Sequence, residues 1–283
     1  KYDFFKQEYE NLKLLHEQHE QTLDKLTNLL IDKRIYFDLI KRNEINIAHK
    51  HYDYIITVGG DGTVLATAQY FDDSIKIIGI KSNQDSVGYL CAYDNNTLSH
   101  FLQDIGSERV EFAKVSRIKA KINHMILNKQ TITKSALNEL LFTALIPGQT
   151  TRYILEYDGK REFHKSSGIY LSTAVGSTAS ISACGGERLP IDFLDFQFVI
   201  REPYKFGTCQ PKILKGFVNP DVQNFSIYNR CDKAILCLDG SHTSYTLDYG
   251  DIVEPMRASS ILLAVKKTYR IMIFCNIYLQ ISL

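Results

Sequence analysis

An excess of either charge is missing from this chain. Its 33 Lys and Arg nearly cancel its 32 Asp and Glu, which excludes the basic footprint of a nucleic-acid-binding protein and the polybasic surface that holds a protein to an anionic membrane. Any recognition of phosphate must therefore be local. Paired cysteines are missing as well. The six, at positions 91, 184, 209, 231, 237 and 275, form no C-x-x-C pair and have no histidine at metal-finger spacing. They read as reduced thiols in a cytosol-like compartment, and no metal ligands are assigned. Long apolar runs are a third absence. The nearest is Ile271 to Leu283, about thirteen residues carrying Asn276 and Gln280, too short and too polar to span a bilayer. No signal-peptide pattern follows Lys1, and because the chain opens on lysine its natural start is expected upstream. There is no internal repeat, low-complexity tract or long linker.

What is present is an ordinary globular composition, 45% hydrophobic over 283 residues, enough for two modest domains with a packed core. Residues Asp3 to about Lys33 place leucines 12, 15, 23, 26 and 30 at mostly helical spacing and predict one or two surface helices. His16 and His19 sit three apart there with no third ligand nearby, which reads as a solvated helix face. Ile35–Ile40, Tyr54–Val58 and Lys76–Ile80 read as strands, the last two around a helix, which is a βαβ unit. Past Lys114 the pattern changes to short apolar or alternating runs: Val115–Ile122, His124–Leu127, Leu137–Thr143, Tyr153–Tyr157, Gly168–Ser172, Phe196–Ile200, Ala234–Leu238 and Ile261–Val265. Turn signals at Pro147-Gly148, Asp158-Gly159 and Asp239-Gly240 separate several of them. The expected architecture is an α/β N-terminal domain of Rossmann-like βαβ type over residues 1–110, a mostly antiparallel β domain over 111–265, and a terminal strand or tail over 266–283. Two such domains are expected to pack together and place a site between them.

The most informative stretch is Tyr54 to Phe71. A β-branched and aromatic run, Tyr54-Ile55-Ile56-Thr57-Val58, reads as a buried parallel strand. It meets Gly59, Gly60 and Gly62, which free the backbone to turn with its N–H groups outward, while the helix opening near Thr63 adds the positive end of its dipole. That is a place to hold phosphate, although a plain connecting turn in an α/β protein reads in much the same way. Asp61 is the anomaly, because a carboxylate inside an anion-binding turn is repelled by the anion unless it binds a metal or takes part in the chemistry. It is the first candidate for a reacting group.

A second run, Lys165 to Gly186, leads from a strand into a turn crowded with hydroxyls (Ser172, Thr173, Ser177, Thr178) and then a helix of small residues ending at Gly185-Gly186. Small side chains allow close approach of a ligand, and the hydroxyls offer donors and acceptors to a ribose or diphosphate. A Ser/Thr-rich helix cap is the competing reading.

The motif Gly59-Gly60-Asp61-Gly62-Thr63 resembles the signature shared by NAD kinases, lipid kinases of the diacylglycerol and sphingosine type and, more distantly, phosphofructokinases. The run S-T-x-x-G-S-T-A from Ser172, followed by Gly185-Gly186, is similar to the NAD kinase pattern, and Asn138-Glu139 resembles that family's third motif. The segment Ser82 to Leu90 supports the same resemblance, which covers roughly residues 54 to 186. From Arg201-Glu202-Pro203 to Leu238-Asp239-Gly240 the chain resembles the mitochondrial-type branch and its bacterial relatives. Most NAD kinases carry Gly-Asp-Gly where this chain has Ser166-Ser167-Gly168, and Tyr where it has Ser180. The family's Gly-His-Leu-Gly-Phe run stands here as Asp85-Ser86-Val87-Gly88-Tyr89, which keeps the glycine and an aromatic ring able to pack on a base.

The resemblance implies ATP-dependent phosphorylation of the 2′-hydroxyl of the adenosine ribose of NAD, or of NADH, with Mg²⁺ on the nucleotide. Asp61 is then the general base, and Gly60, Gly62 and Thr63 hold phosphate. Asn138 and Glu139 hold the ribose and amide of the dinucleotide, Asn83 and Tyr89 its adenine side, Thr178, Ala179 and Ser180 the second ribose or base, and Ser167 stands at the nicotinamide end. It also implies a homodimer or homotetramer formed through the β domain, in the cytoplasm. Two other readings are a lipid kinase using the same Asp61, against which the hydroxyl run argues, and a non-catalytic dinucleotide-binding protein, which the changes at Ser167 and Ser180 make conceivable.

Overall fold

The computed structural model describes residues 2–41, 52–71, 75–205, 207, 210–241 and 243–265. Two compact units divide the chain, one from Lys1–Ala113 with Leu262–Leu283 and one from Lys114–Ile261. The tail expected at 266–283, with Cys275, and the cysteine at 209 lie outside the described residues.

The first unit opens with one long helix, α1 (Tyr2–Asp32). Its periodic leucines are used unequally: Thr22, Leu26 and Leu30, four apart on one face, are buried, while Leu12 is exposed. Ile35–Ile40 is not a strand. The segment is mostly exposed and without strand structure, and strand propensity is only a fit to a pleated, half-buried surface, which this segment does not join.

The βαβ unit is present as β1 (Tyr54–Gly59), α2 (Asp61–Ala68) and β2 (Lys76–Lys81). β1 and β2 are parallel, with Tyr54 opposite Lys76 and Gly59 opposite Lys81; parallel neighbours need a crossover, and α2 supplies it. β3 (Cys91–Asp94) adds in parallel to β2, and α3 (Leu98–Gly106) follows. Leu98, Phe101 and Leu102, at helical spacing, turn one face of α3 into a core shared with Leu26, Leu30, Ile78 and Ile80.

The second unit is built of antiparallel strands. β4 (Phe112–His124) and β5 (Lys129–Ile132) form a hairpin, and β6 (Glu139–Ala144), β7 (Thr151–Tyr157), β8 (Lys160–Ser166) and β9 (Gly168–Ser172) follow. A 3-10 turn at Val175–Thr178 and a short helix, α4 (Ser180–Ala183), come next. The expected helix of small residues is thus two short pieces, and Gly185 ends them in the left-handed region at φ +86°. The chain then forms β10 (Phe196–Arg201), β11 (Lys215–Val218), β12 (Phe225–Asn229), β13 (Lys233–Leu238), β14 (Thr243–Asp248) and β15 (Ile252–Ala264). One sheet runs β11-β10-β9-β6-β13-β14; in the other, β15, β12, β7 and β8 are neighbours in that order. The core holds Ile118, Phe142, Tyr153, Phe196, Phe198, Ile227 and Leu236, drawn from both sheets. Alternation decides which residues enter it: in β13, Ala234, Leu236 and Leu238 are buried while Lys233 is exposed. Past Ile261 the strand β15 belongs to the first unit, where Leu262 and Leu263 pair in parallel with Lys76 and Ile77.

One expected strand in this region is a turn. Met125, Ile126 and Leu127 are the exposed tip of the β4–β5 hairpin; the apolar run was a misleading signal because the chain must reverse there to pair Lys121 with Ile132 and His124 with Lys129. Among the described residues no helix is long and apolar enough to cross a membrane, and Cys91, Cys184, Cys231 and Cys237 are free thiols.

Candidate active site

In the first unit the site is a strand-to-helix turn clamped to a second loop. β1 ends at Gly59, which adopts φ +154° and where a Cβ would lie 2.3 Å from the Thr63 hydroxyl; only glycine fits there. Gly60 precedes α2 in an extended conformation and accepts the Thr63 N–H at 2.9 Å. Asp61 opens the helix. Its Oδ2 accepts the Tyr89 N–H at 3.0 Å and its Oδ1 the Leu90 N–H at 2.7 Å, so the carboxylate ties the turn to the segment Ser82–Leu90. That segment is further fixed by Ser82 N–H donating to the Gly59 carbonyl at 3.1 Å. Asn83 makes an Asx turn, its Oδ1 accepting the Asp85 N–H at 2.8 Å, and the Lys81 ammonium donates to the carbonyls of Gln84 and Ser86. The structure therefore brings Gly60, Asp61, Gly62, Thr63, Asn83 and Tyr89 to one end of the parallel strands. His19 joins them: instead of facing solvent, it is half-buried with its Nδ1 3.2 Å from the Ser82 hydroxyl.

In the second unit Asn138 and Glu139 enter β6 through a frame of side-chain bonds to main chain. The Asn138 carbonyl accepts the Thr173 N–H at 2.9 Å and the Ser172 hydroxyl at 3.1 Å, and the Leu137 carbonyl accepts the Thr173 hydroxyl at 2.6 Å. Gly176 packs against the same carbonyl, with room for no Cβ: one would lie 2.2 Å from the Asn138 oxygen. The N–H groups of Leu137, Asn138 and Glu139 all donate to the carboxylate of Asp239, at 2.9, 2.7 and 3.2 Å. What remains uncommitted is side chain. Asn138 Oδ1 and Glu139 Oε2 are buried without a hydrogen-bond partner among the described residues, a costly state that a ligand's donors would relieve. Burial, and next the Asp239 carboxylate, push the Glu139 carboxyl up to about 7.

Past Gly176 and the buried Ser177, Thr178 and Ala179 are half-buried, and Ser180 is exposed at the start of α4. Ser167 is not part of this cluster. Glu139 pairs with Ser172 at one end of β9, whereas Ser167 precedes Gly168 at the other, about 15 Å along the strand. There the Ser167 carbonyl accepts the Thr143 hydroxyl at 3.1 Å and the Arg201 guanidinium at 3.3 Å. Asp239 is not among the residues that the sequence marks as site candidates. Its only signal was the Asp-Gly pair, which is also the signature of an ordinary hairpin turn.

Comparison with known proteins agrees with these motifs. The model of the ATP-NAD kinase N-terminal domain matches residues 4–110. The NADH kinase of Arabidopsis thaliana is 30% identical over 259 residues, covering 83% of this chain and 80% of the relative. Among solved structures, an NAD kinase from Archaeoglobus fulgidus in complex with ATP superposes with a TM-score of 0.69 at 19% identity, over 87% of this chain and 90% of its own. Yeast NADH kinase complexed with NADH gives 0.66 at 19% identity over 76% of this chain, which spans 62% of that protein. The two structures establish a shared fold, and the plant relative establishes more: this chain belongs to the NAD kinase family and is a kinase.

Proposed function

We propose that this protein transfers the γ-phosphoryl group of ATP to the 2′-hydroxyl of the adenosine ribose of NAD or NADH, giving NADP or NADPH, with Asp61 as the general base. The observation that carries this reading is the pair of glycines flanking Asp61. Gly60 has φ −109°, a conformation open to any residue, and Gly62 is helical. A Cβ added at either would meet nothing within 4 Å. Neither backbone strain nor packing among the described residues calls for glycine there, whereas the close approach of a phosphate to main-chain N–H groups at a helix start does.

The chemistry needs little else. The ribose hydroxyl gives its proton to an Asp61 oxygen as its own oxygen forms a bond to the γ-phosphorus, and the bond from that phosphorus to the bridging oxygen of ADP breaks. Each Asp61 oxygen accepts one main-chain N–H and keeps a second lone pair for that proton. Mg²⁺ carried by the nucleotide offsets charge on the transferring group. Asn83 and Tyr89 are assigned to the adenine side. Asn138 and Glu139 are assigned to the ribose and amide, a role their buried unpartnered oxygens support. Thr178, Ala179 and Ser180 are assigned to the second ribose or base, and Ser167 to the nicotinamide end.

Ser166-Ser167-Gly168 supports placing the chain in the mitochondrial-type branch. The reading includes a homodimer or homotetramer in the cytoplasm. The test is incubation of the purified chain with ATP, Mg²⁺ and either NAD or NADH, with the product quantified by an NADP(H)-specific enzyme and its phosphate located by ³¹P NMR. A 2′-phosphorylated dinucleotide is the expected product; none from either acceptor would overturn the proposal.

A further inference from the structure

Asp239 sits just past the end of β13, in line with Glu139 across the ladder that pairs Leu238 with Leu140. Its own N–H donates to the Glu139 carbonyl at 3.1 Å, while its carboxylate accepts three consecutive N–H groups from Leu137, Asn138 and Glu139. A turn residue does not ordinarily look like this. Asp239 is only 6% exposed and holds φ +50°, followed by Gly240 at +90°. The left-handed region suits asparagine as well as aspartate, and asparagine would avoid setting a buried carboxylate beside Glu139. A structural turn has no use for that like-charge pair.

The hydrogen-bond pattern shows what the arrangement achieves. With Asp239 holding the N–H groups and Thr173 and Ser172 holding the carbonyls of Leu137 and Asn138, the main chain is pinned on both sides. Asn138 Oδ1 and Glu139 Oε2 are left buried and without a hydrogen-bond partner among the described residues. Three charge-assisted bonds to consecutive amides remove the local freedom that binding would otherwise have to freeze out.

We infer that Asp239 is a positioning residue of the dinucleotide site, fixing Asn138 and Glu139 in one geometry without itself touching substrate. Beside burial, which is the larger cause, its carboxylate also raises the Glu139 carboxyl. The inference rests on the proposed role of Asn138 and Glu139. The titratable side chains on the Glu139 face of the flanking strands are Asp239 and Cys237 on the β13 side and Tyr170 on β9. Cys237 is a thiol pushed up by burial, which leaves Asp239 as the charge acting on Glu139.

The test is steady-state kinetics of the full chain and its Asp239→Asn variant, with Glu139→Gln run in parallel. Asp239→Asn is expected to raise the KM for NAD at least tenfold, to leave the KM for ATP within twofold, and to move the neutral-pH limb of NAD binding to lower pH. Glu139→Gln should abolish that limb. Equal rises in both KM values, or an unchanged KM for NAD in a folded variant, would overturn the inference. If Glu139→Gln leaves NAD binding and its pH profile untouched, the substrate role of Glu139 fails instead. A second measurement needs no variant: carboxyl ¹³C NMR of the unmodified protein should show Glu139 titrating near neutrality. Glu139 titrating in the ordinary carboxylate range would overturn the inference even if Asp239→Asn does not fold.

Discussion

The Asp61 carboxylate holds Leu90 from 29 positions away in sequence, accepting its N–H at 2.7 Å. The residue assigned as the base is thus also the fastening between the glycine turn and the loop that carries Asn83 and Tyr89. Both roles follow from one placement, the first residue of α2, where the positive end of the helix favours a carboxylate. Removing the side chain should therefore cost stability as well as activity. Asp61→Ala is expected to lower unfolding free energy by about 1–3 kcal/mol, because two main-chain N–H groups lose a charged acceptor. Denaturant titration of the two proteins checks this, and identical midpoints would contradict the fastening role.

Gly62 separates phosphate recognition from packing. An alanine at 62 meets open space and, inside a helix, should stabilise the fold by about 0.5–1 kcal/mol. The same methyl group should obstruct a phosphate against the first turn. Gly62→Ala is expected to melt at or above the temperature of the unmodified chain while its KM for ATP rises at least tenfold. A stable variant with normal ATP kinetics would count against phosphate binding at this turn.

Glu139 should give stability a pH dependence of its own. Its carboxyl lies at about 7 in the fold against 4.5 as a reference, raised by burial first and Asp239 second. The folded state therefore binds the proton more tightly, and the contribution is fully present below about 4.5 and lost as pH rises through about 7. The full difference is worth roughly 3 kcal/mol. Glu139→Gln should flatten the decline in unfolding free energy between pH 5 and 8, roughly the window this shift sets, and an unchanged decline would place its origin elsewhere.

His164 acts with the opposite sign. Its ring is fully buried, stacked on Tyr153 with centroids 5.2 Å apart, and neither ring nitrogen has a hydrogen-bond partner among the described residues. Burial lowers its pKa from 6.5, an effect that Glu162 opposes. Stability is present above 6.5 and lost as pH falls below it, because the unfolded chain takes up the proton first. His164→Phe keeps an aromatic ring in the stack and removes the titration. It should reduce the loss of stability as pH falls below 6.5, as read by melting temperature, and an equal loss in the variant would contradict this.

The parts of the fold legible in the sequence are those where local pattern and tertiary environment agree. Tyr54–Val58 forms the expected parallel strand, although it is half-buried except at Thr57 because β1 pairs only with β2 among the described residues, and of the glycines after it the turn itself requires Gly59. The strands β8 and β14 escaped notice because Lys160–Ser166 and Thr243–Asp248 are largely polar, being stabilised by pairing to β7 and β13 more than by burial. Ile35–Ile40 and Met125–Leu127 misled for the converse reason: apolar residues without a ladder partner do not make a strand. In the candidate site, Asp61 stands out in the sequence because a carboxylate is out of place in a glycine-rich turn before a helix. Asp239 does not, because the main-chain N–H groups its carboxylate accepts lie a hundred residues away, and no local pattern records them.

The most direct test of the account is turnover by Asp61→Asn beside the unmodified chain, with NAD affinity measured on both by calorimetry. General-base assistance is typically worth on the order of a hundredfold or more, and asparagine keeps the shape of the side chain and one acceptor for the Tyr89–Leu90 amides. The account predicts that NADP formation falls at least a hundredfold while the Kd for NAD changes by less than about threefold, since the dinucleotide is held mainly by other residues. An Asp61→Asn protein that forms NADP at near the unmodified rate would contradict it.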